Sequence, residues 1–223
     1  MLVMGRHFRN ALRLFVRQPL FTATAVLSLA IGIGANVTIF SVANAILLAP
    51  TAAVDQPGRI VDIGLTRANS KFDTMSYPNF LDMRDRNHTL TGMYALDFEP
   101  KALSLGGDDG ASRVYGQMVS AGFFDVLGVK PALGGFFHAG QEQLGVPLRQ
   151  IVLSHPFWRR QFGADSKIAG KDIVINGDHF TVAAVAPEGF QGTTILSPDL
   201  WIPLTSYAKG LPDDGLLRGR RNQ

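Results

Sequence analysis

The 223-residue chain contains no cysteine. That absence excludes a disulfide framework, a thiolate metal site and a cysteine nucleophile together. Charge is also scarce, at 17% of residues, and no charged side chain occurs from Gln18 to Val54. The formal net charge of +3 hides a split distribution. Of 21 basic residues, Arg6, Arg9, Arg13 and Arg17 precede the uncharged run and Arg218, Arg220 and Arg221 close the chain; the remaining 14 face all 18 acids, a net of −4. No basic stripe with interleaved aromatics is present to follow a phosphate backbone, so nucleic acid is excluded as a partner.

The signatures of catalysis are missing too. His7, His88, His138, His155 and His179 are scattered, without the spacing of a metal site. Ser154 and His155 are neighbours without a surrounding G-x-S-x-G, and an N-cap role accounts for the serine. Asp82 and Asp85 stand three apart, where they could act as an acid and base pair, but sharing a solvated helix face with Arg84 and Arg86 explains them more simply. The stretch GGDDGAS at 106–112 lacks the spaced oxygen ligands of a calcium loop, and no G-x-x-x-x-G-K-[ST] is present for ATP. The sequence therefore assigns no catalytic, cofactor-binding or metal residue, and the chain reads as a non-enzyme.

What is abundant is apolar sequence, concentrated in LSLAIGIGANVTIFSVANAILLAP at 27–50. Gly32 and Gly34 imitate a dinucleotide turn, but Val37 stands in place of the third glycine and no carboxylate follows until Asp55. Leu20 to Leu48 is an almost unbroken apolar run, which as a helix extends about 43 Å against a hydrocarbon core of about 30 Å. A continuous helix satisfies its own backbone in lipid, and Pro50 marks an end. Ala43 and Ala45 form the A-x-A pattern of a signal peptidase site, yet the apolar run is about twice the usual 7–15 residues. A retained transmembrane helix is the expectation.

The arginines ahead of the span serve as topology anchors. By the positive-inside rule Arg6, Arg9, Arg13 and Arg17 hold the N-terminus in the cytoplasm, and residues after about 48 are exported. They recur three or four apart opposite Phe8, Leu12 and Phe15, so residues 1–19 also read as an amphipathic segment on the inner membrane surface. Within the span, Val26, Leu29, Ile33, Val37 and Phe40 form a bulky stripe; Ser28, Gly32, Gly34 and Asn36 lie off it, as helix-packing candidates.

The exported part reads as α+β. GRIVDIGL at 58–65, SRVYGQMVS at 112–120 and PDLWIPL at 198–204 have strand patterns, the last as an edge strand because of Pro203. SYPNFLDMRDRN at 76–87 and SHPFWRRQFG at 154–163 each place serine and then proline at a helix start. Asn176-Gly177 inside KDIVINGDHFTVAAVA predicts a tight hairpin at 171–186. Residues 49–57 form the expected flexible linker, and no internal repeat is evident.

Several stretches together carry a family resemblance: RHFRNALRLFVRQPLFTATAVLSLAIGIGANVTIFSVANAILLAP, SYPNFLDMRDRNHTLTGMYAL, VYGQMVSAGFFDVLGVKPALG, IVLSHPFWRRQFGADSKIAGKDIVINGDHFTVAAVAPEGFQG and DLWIPL. The chain resembles the first membrane helix and periplasmic core of MacB/FtsX-like ABC transporter permeases, and more narrowly the acidobacterial duplicated orphan permeases. The resemblance implies residues 20–48 as an inner-membrane helix with a periplasmic extension and residues 58–223 as a MacB-like periplasmic core domain. It implies ATP only on a partner ABC ATPase, a second permease copy or half, and contact with membrane lipid. Such permeases continue with further helices, whereas this sequence ends in LLRGRRNQ, so it reads as a fragment or truncated reading frame with a shortened domain. The competing reading is a single-pass, membrane-anchored periplasmic binding or sensor module.

Overall fold

The computed structural model describes residues 17–47, 53–67, 70–73, 75–106, 110–143 and 145–206. Two compact units divide at the boundary between Pro50 and Thr51. The first contains helix α1, Pro19–Leu47. Its interior has no proline, and its hydroxyls are turned onto the helix itself: Thr22 Oγ1 donates to Gln18 O, Thr24 Oγ1 to Phe21 O and Thr38 Oγ1 to Gly34 O, at 2.8–2.9 Å. Bonded in this way, the threonines bring no unsatisfied polar group into an apolar surrounding. None of its described side chains is buried by protein.

The second unit begins with a 3-10 turn at Pro57–Arg59, a small β1–β2 ladder (Leu65–Arg67 and Ser70–Asp73) and helix α2, Tyr77–Asp85. The 58–65 strand expectation is corrected here: residues 60–64 pair with no strand, and pairing starts at Leu65. Pro57 opens a turn and Val61 and Ile63 face out, so the alternation in that stretch has no sheet to lie on.

A seven-stranded sheet follows. It contains β3 (Lys101–Gly106), β4 (Ser112–Val119), β5 (Leu133–Gly134), β6 (Gln150–Leu153), β7 (Asp172–Ile175), β8 (Asp178–Val185) and β9 (Leu200–Pro203), with α3 (Phe123–Leu127) and α4 (His155–Phe162) between strands. The order is β5-β8-β6-β9-β4-β3-β7, and β7 pairs again with β8, so six strands close into a ring and β5 is appended. The β7–β8 turn is formed by Asn176 at φ 51° and Gly177 at φ 84°, the two left-handed residues this hairpin requires. Asn176 also fastens the ring, donating its N–H to Ser104 O and accepting Ser104 N–H on Oδ1.

Period-two alternation sends Leu103, Leu105, Val114, Ile151, Leu153, Phe180, Val182, Leu200 and Ile202 into one buried cluster, joined by Phe157 of α4. Gly116 shares that face, because a Cβ there would stand 2.5 Å from Leu103 Cδ1. In β8 an extra residue breaks the alternation: Ile151 pairs with Val182, Val152 with Ala184, and the shift carries Ala184 to the outer cluster.

Strand β9 corrects the edge-strand expectation. It lies between β4 and β6 and is wholly buried. Pro203 is tolerated there because β6 pairs only with Leu200 and Trp201; Leu204 N–H turns to β4, so the position of proline's missing N–H falls on the β6 side, beyond the last pair.

Candidate functional site

The four packing candidates of α1 are all exposed within the protein, and Gly32 and Gly34 have no other atom within 4 Å of where a Cβ would sit. Ser28, Gly32 and Asn36, spaced four apart, lie along one thin stripe, Gly34 lies well round the helix from them, and no described part of the helix's own unit covers either. Of the topology anchors, Arg17 stands exposed just ahead of α1, while Arg6, Arg9 and Arg13 lie outside the described residues.

On the sheet's outer face an aromatic cluster gathers Phe123, Phe124, Phe136, Phe137, Phe190 and Trp201. Phe124 and Phe136 stack with centroids 4.0 Å apart, and Trp201 meets Phe124 edge-on at 5.7 Å. Gln117, fully buried, is embedded beside it. Its Oε1 accepts from Trp201 Nε1 at 3.3 Å, and its Nε2 donates to Asp97 O at 3.3 Å and to Thr194 Oγ1 at 3.1 Å. One amide thus fastens two loops at once. Their tips carry Phe98, Ile195 and Leu196, which remain 61–69% exposed.

The segment leading into the domain is held on this face as well. Asp55 N–H donates to Leu127 O at 2.9 Å, at the C-terminal end of α3, and Val54 and Ile60 pack against the aromatic cluster. Residues 53–57, assigned to the linker by composition, are in this way fastened to the domain. Gly128 makes the approach possible: it caps α3 at φ 65°, and a Cβ on it would stand 2.7 Å from Asp55 Cβ.

The titratable groups do not converge. Asp85 pairs with Arg84 at 3.0 Å, and His138 Nδ1 lies 2.9 Å from Asp125 Oδ1. Ser154 occupies the N-cap position of α4 without a side-chain capping bond, and the His155 ring lies edge-on to Trp158. Among the described residues no three of His, Cys, Asp or Glu gather as metal ligands. Lys171 Nζ, 2.7 Å from Asp165 Oδ2, holds that carboxyl below the usual range with help from the Lys167 N–H. Burial pushes the Tyr77 hydroxyl well above its ordinary value, and the neighbouring Glu142 adds to the rise. His88 and Arg86 border an open groove of about 600 Å³ whose apolar lining includes Ile63, Met83, Leu90 and Met93.

Geometry of this kind offers, among the described residues, surfaces, a fastened entry segment and an exposed apolar helix. The family model of the MacB-like periplasmic core domain matches residues 22–220, taking in most of α1 and the domain together. The chain belongs to that family. It is a MacB-like periplasmic domain of the ABC-type transporter permeases, and its apolar N-terminal helix fits an inner-membrane protein with a periplasmic domain. Among curated proteins no relative matches. Solved structures similar to the chain include the periplasmic region of MacB from Actinobacillus actinomycetemcomitans, at 15% identity and TM-score 0.47, covering 60% of this chain and 56% of that one. Another is the extracellular domain of the noncanonic ABC-type transporter YknZ from Gram-positive bacteria, at 15% identity and TM-score 0.44, covering 58% of this chain and 62% of that one. The chain thus spans less than two thirds of either structure.

Family membership joins the two halves of the sequence reading, the span and the domain, but not the candidate residues. Ser28, Gly32, Gly34 and Asn36 share one helix and meet no other element among the described residues. Sequence reasoning missed Gln117, the Asp55 contact and the aromatic convergence. The first had no local signal, since a lone glutamine in a strand reads as an outward residue. The pair Phe123-Phe124 and the pair Phe136-Phe137, each just after glycine, were the available sign of the third.

Proposed function

We propose that the protein works as a permease segment of an ABC-type transporter, transmitting ATP-driven motion across the inner membrane to its periplasmic domain for efflux or mechanotransmission. The observation that carries this reading is a single family match running through both the apolar helix and the domain. In this reading the N-terminus is cytoplasmic, Arg6, Arg9, Arg13 and Arg17 are its topology anchors, and the residues after about 48 are periplasmic. ATP is hydrolysed on a partner ABC ATPase, and the small and polar residues of α1, Ser28, Gly32, Gly34 and Asn36, pack against helices of a second permease copy or half. Close backbone approach over small residues, with Asn36 bonding across, is how helices associate without a hydrophobic force between them in lipid.

Two readouts test it. In the cysteine-free chain, Ser70→Cys is expected to react with an impermeant thiol reagent in intact spheroplasts; protection of that thiol would reverse the orientation. Reconstituted with its ATPase, Gly32→Leu is expected to insert normally, since leucine favours the bilayer. It should reduce the response of ATP turnover to the periplasmic domain or its cargo. Unchanged coupled turnover would make α1 an anchor only and favour the single-pass sensor module.

A further inference from the structure

In the segment between α1 and the domain's sheet, backbone preference and observed conformation disagree. Ala53 at φ 63° and Gln56 at φ 51° are both left-handed. Each such non-glycine residue is strained and persists only where its surroundings over-determine it. Those surroundings are specific. Asp55, between the two, donates its N–H to Leu127 O, one of the carbonyls that a helix end leaves without an internal partner. Asp55 Cβ lies over the bare Gly128, Val54 and Ile60 enter the outer aromatic cluster, and Arg59 Nη1 donates to Gln56 Oε1 at 3.0 Å.

We infer that Ala53–Ile60 is a clip, which fastens the connector from the membrane helix to α3. A pull arriving along the chain then enters the domain at the outer aromatic cluster and is not lost in slack. Chain lengths make the point. From Leu47 to the clip at Ala53 the connector reaches at most about 20 Å, whereas running free to β1 at Leu65 it would reach about 60 Å, at about 3.4 Å per residue. The purpose of the clip rests on the permease reading; its existence is a property of the chain alone.

The test uses the full chain in detergent micelles. Force handles go on two introduced thiols, Asn44→Cys at the end of the span and Lys167→Cys on the exposed rim of the domain. The first event should be a discrete release of no more than about 30 Å, the length of residues 53–60, before the domain itself unfolds. Hydrogen exchange at the Asp55 amide should be at least about tenfold slower than in an unstructured peptide. Gly128→Ala, whose Cβ intrudes on Asp55, should abolish the release step and remove that protection. Because this change also strains the α3 cap, Ala53→Gly serves as the opposite probe: it relieves a positive φ without removing a side-chain bond of the clip, leaves α3 untouched, and should slow exchange across 54–60. A wild-type chain with no release step and free-peptide exchange at Asp55 would overturn the clip, as would a Gly128→Ala variant unchanged in both. Neither readout involves ATP or orientation, so failure of the transporter reading would show instead in the Ser70→Cys labelling and in the coupled turnover of Gly32→Leu.

Discussion

The two faces of the seven-stranded sheet are packed by different means. The inner face is filled by alternate side chains of the strands themselves, nearly all aliphatic. The outer face is filled by aromatic residues brought from α3, from the 136–137 stretch and from the loop at Phe190, which converge on Trp201. A strand's alternation is a local property and fixes the inner cluster almost strand by strand. The outer cluster exists only once distant segments have met, and it is the outer cluster that holds the clip, the Gln117 tie and the two apolar loop tips. The face assembled at long range is thus the one against which the entry segment 53–60 is packed.

The comparison is broken most directly by truncating one residue on each face. Trp201→Ala is expected to cost about 3–5 kcal/mol, since a fully buried indole leaves both a cavity and a Gln117 Oε1 without its donor. Ile151→Val on the inner face should cost about 0.5–1.5 kcal/mol, because one methylene is lost from a bed of aliphatic neighbours. Urea unfolding of the full chain in micelles measures both. If the two changes cost the same after allowing for size, the outer face is ordinary core and the contrast fails.

This division also explains what the sequence made legible. The β7–β8 hairpin was readable because Asn176-Gly177 names its own turn, and helices α2 and α4 because serine, proline and, for α4, the left-handed Gly163 mark their ends. The 58–65 stretch looked like a strand because alternation speaks of side chains and not of partners; Val61 and Ile63 alternate with nothing to pair with. Pro203 argued for an edge, yet the pairing with β6 stops at Trp201, two residues short of it. The small residues of α1 were visible as composition, whereas any partner for them is a matter of another segment. Gln117 could not be found by pattern at all: its worth lies in three atoms supplied by Asp97, Thr194 and Trp201.

A smaller effect sharpens the comparison from inside the outer face. Gln117→Leu keeps the volume but leaves Trp201 Nε1, Asp97 O and Thr194 Oγ1 without the amide, an expected loss of about 1–3 kcal/mol. Its more telling consequence is local. The loop carrying Ile195 and Leu196 should gain hydrogen exchange at residues 191–197, while β7 and β8 on the opposite side of the ring keep theirs. Equal loss of protection everywhere would mean that Gln117 supports the sheet and does not specifically hold the loops.

The smallest effect at neutral pH concerns Tyr77, buried at the start of α2 with a hydroxyl that meets no hydrogen-bond partner of adequate geometry among the described residues. Burial first, and then Glu142, raise its ionisation above the ordinary value of 10.0, against a weaker opposing pull from Arg84. The folded state therefore favours the protonated phenol. The stability this contributes is complete below pH 10, where the phenol is protonated in both states, and is lost as pH rises from 10 toward the folded value, because the unfolded chain ionises first. Tyr77→Phe removes an unpartnered buried hydroxyl and should change stability at pH 7 by about 1 kcal/mol or less, in the favourable direction. Between pH 9 and 11 the variant should lose less stability than the wild type; the residual loss would come from Tyr94, whose ionisation burial also raises. Unfolding midpoints that fall in parallel for the two proteins across that range would show that the Tyr77 hydroxyl is not held protonated by the fold, and that its burial at the start of α2 is a matter of packing alone.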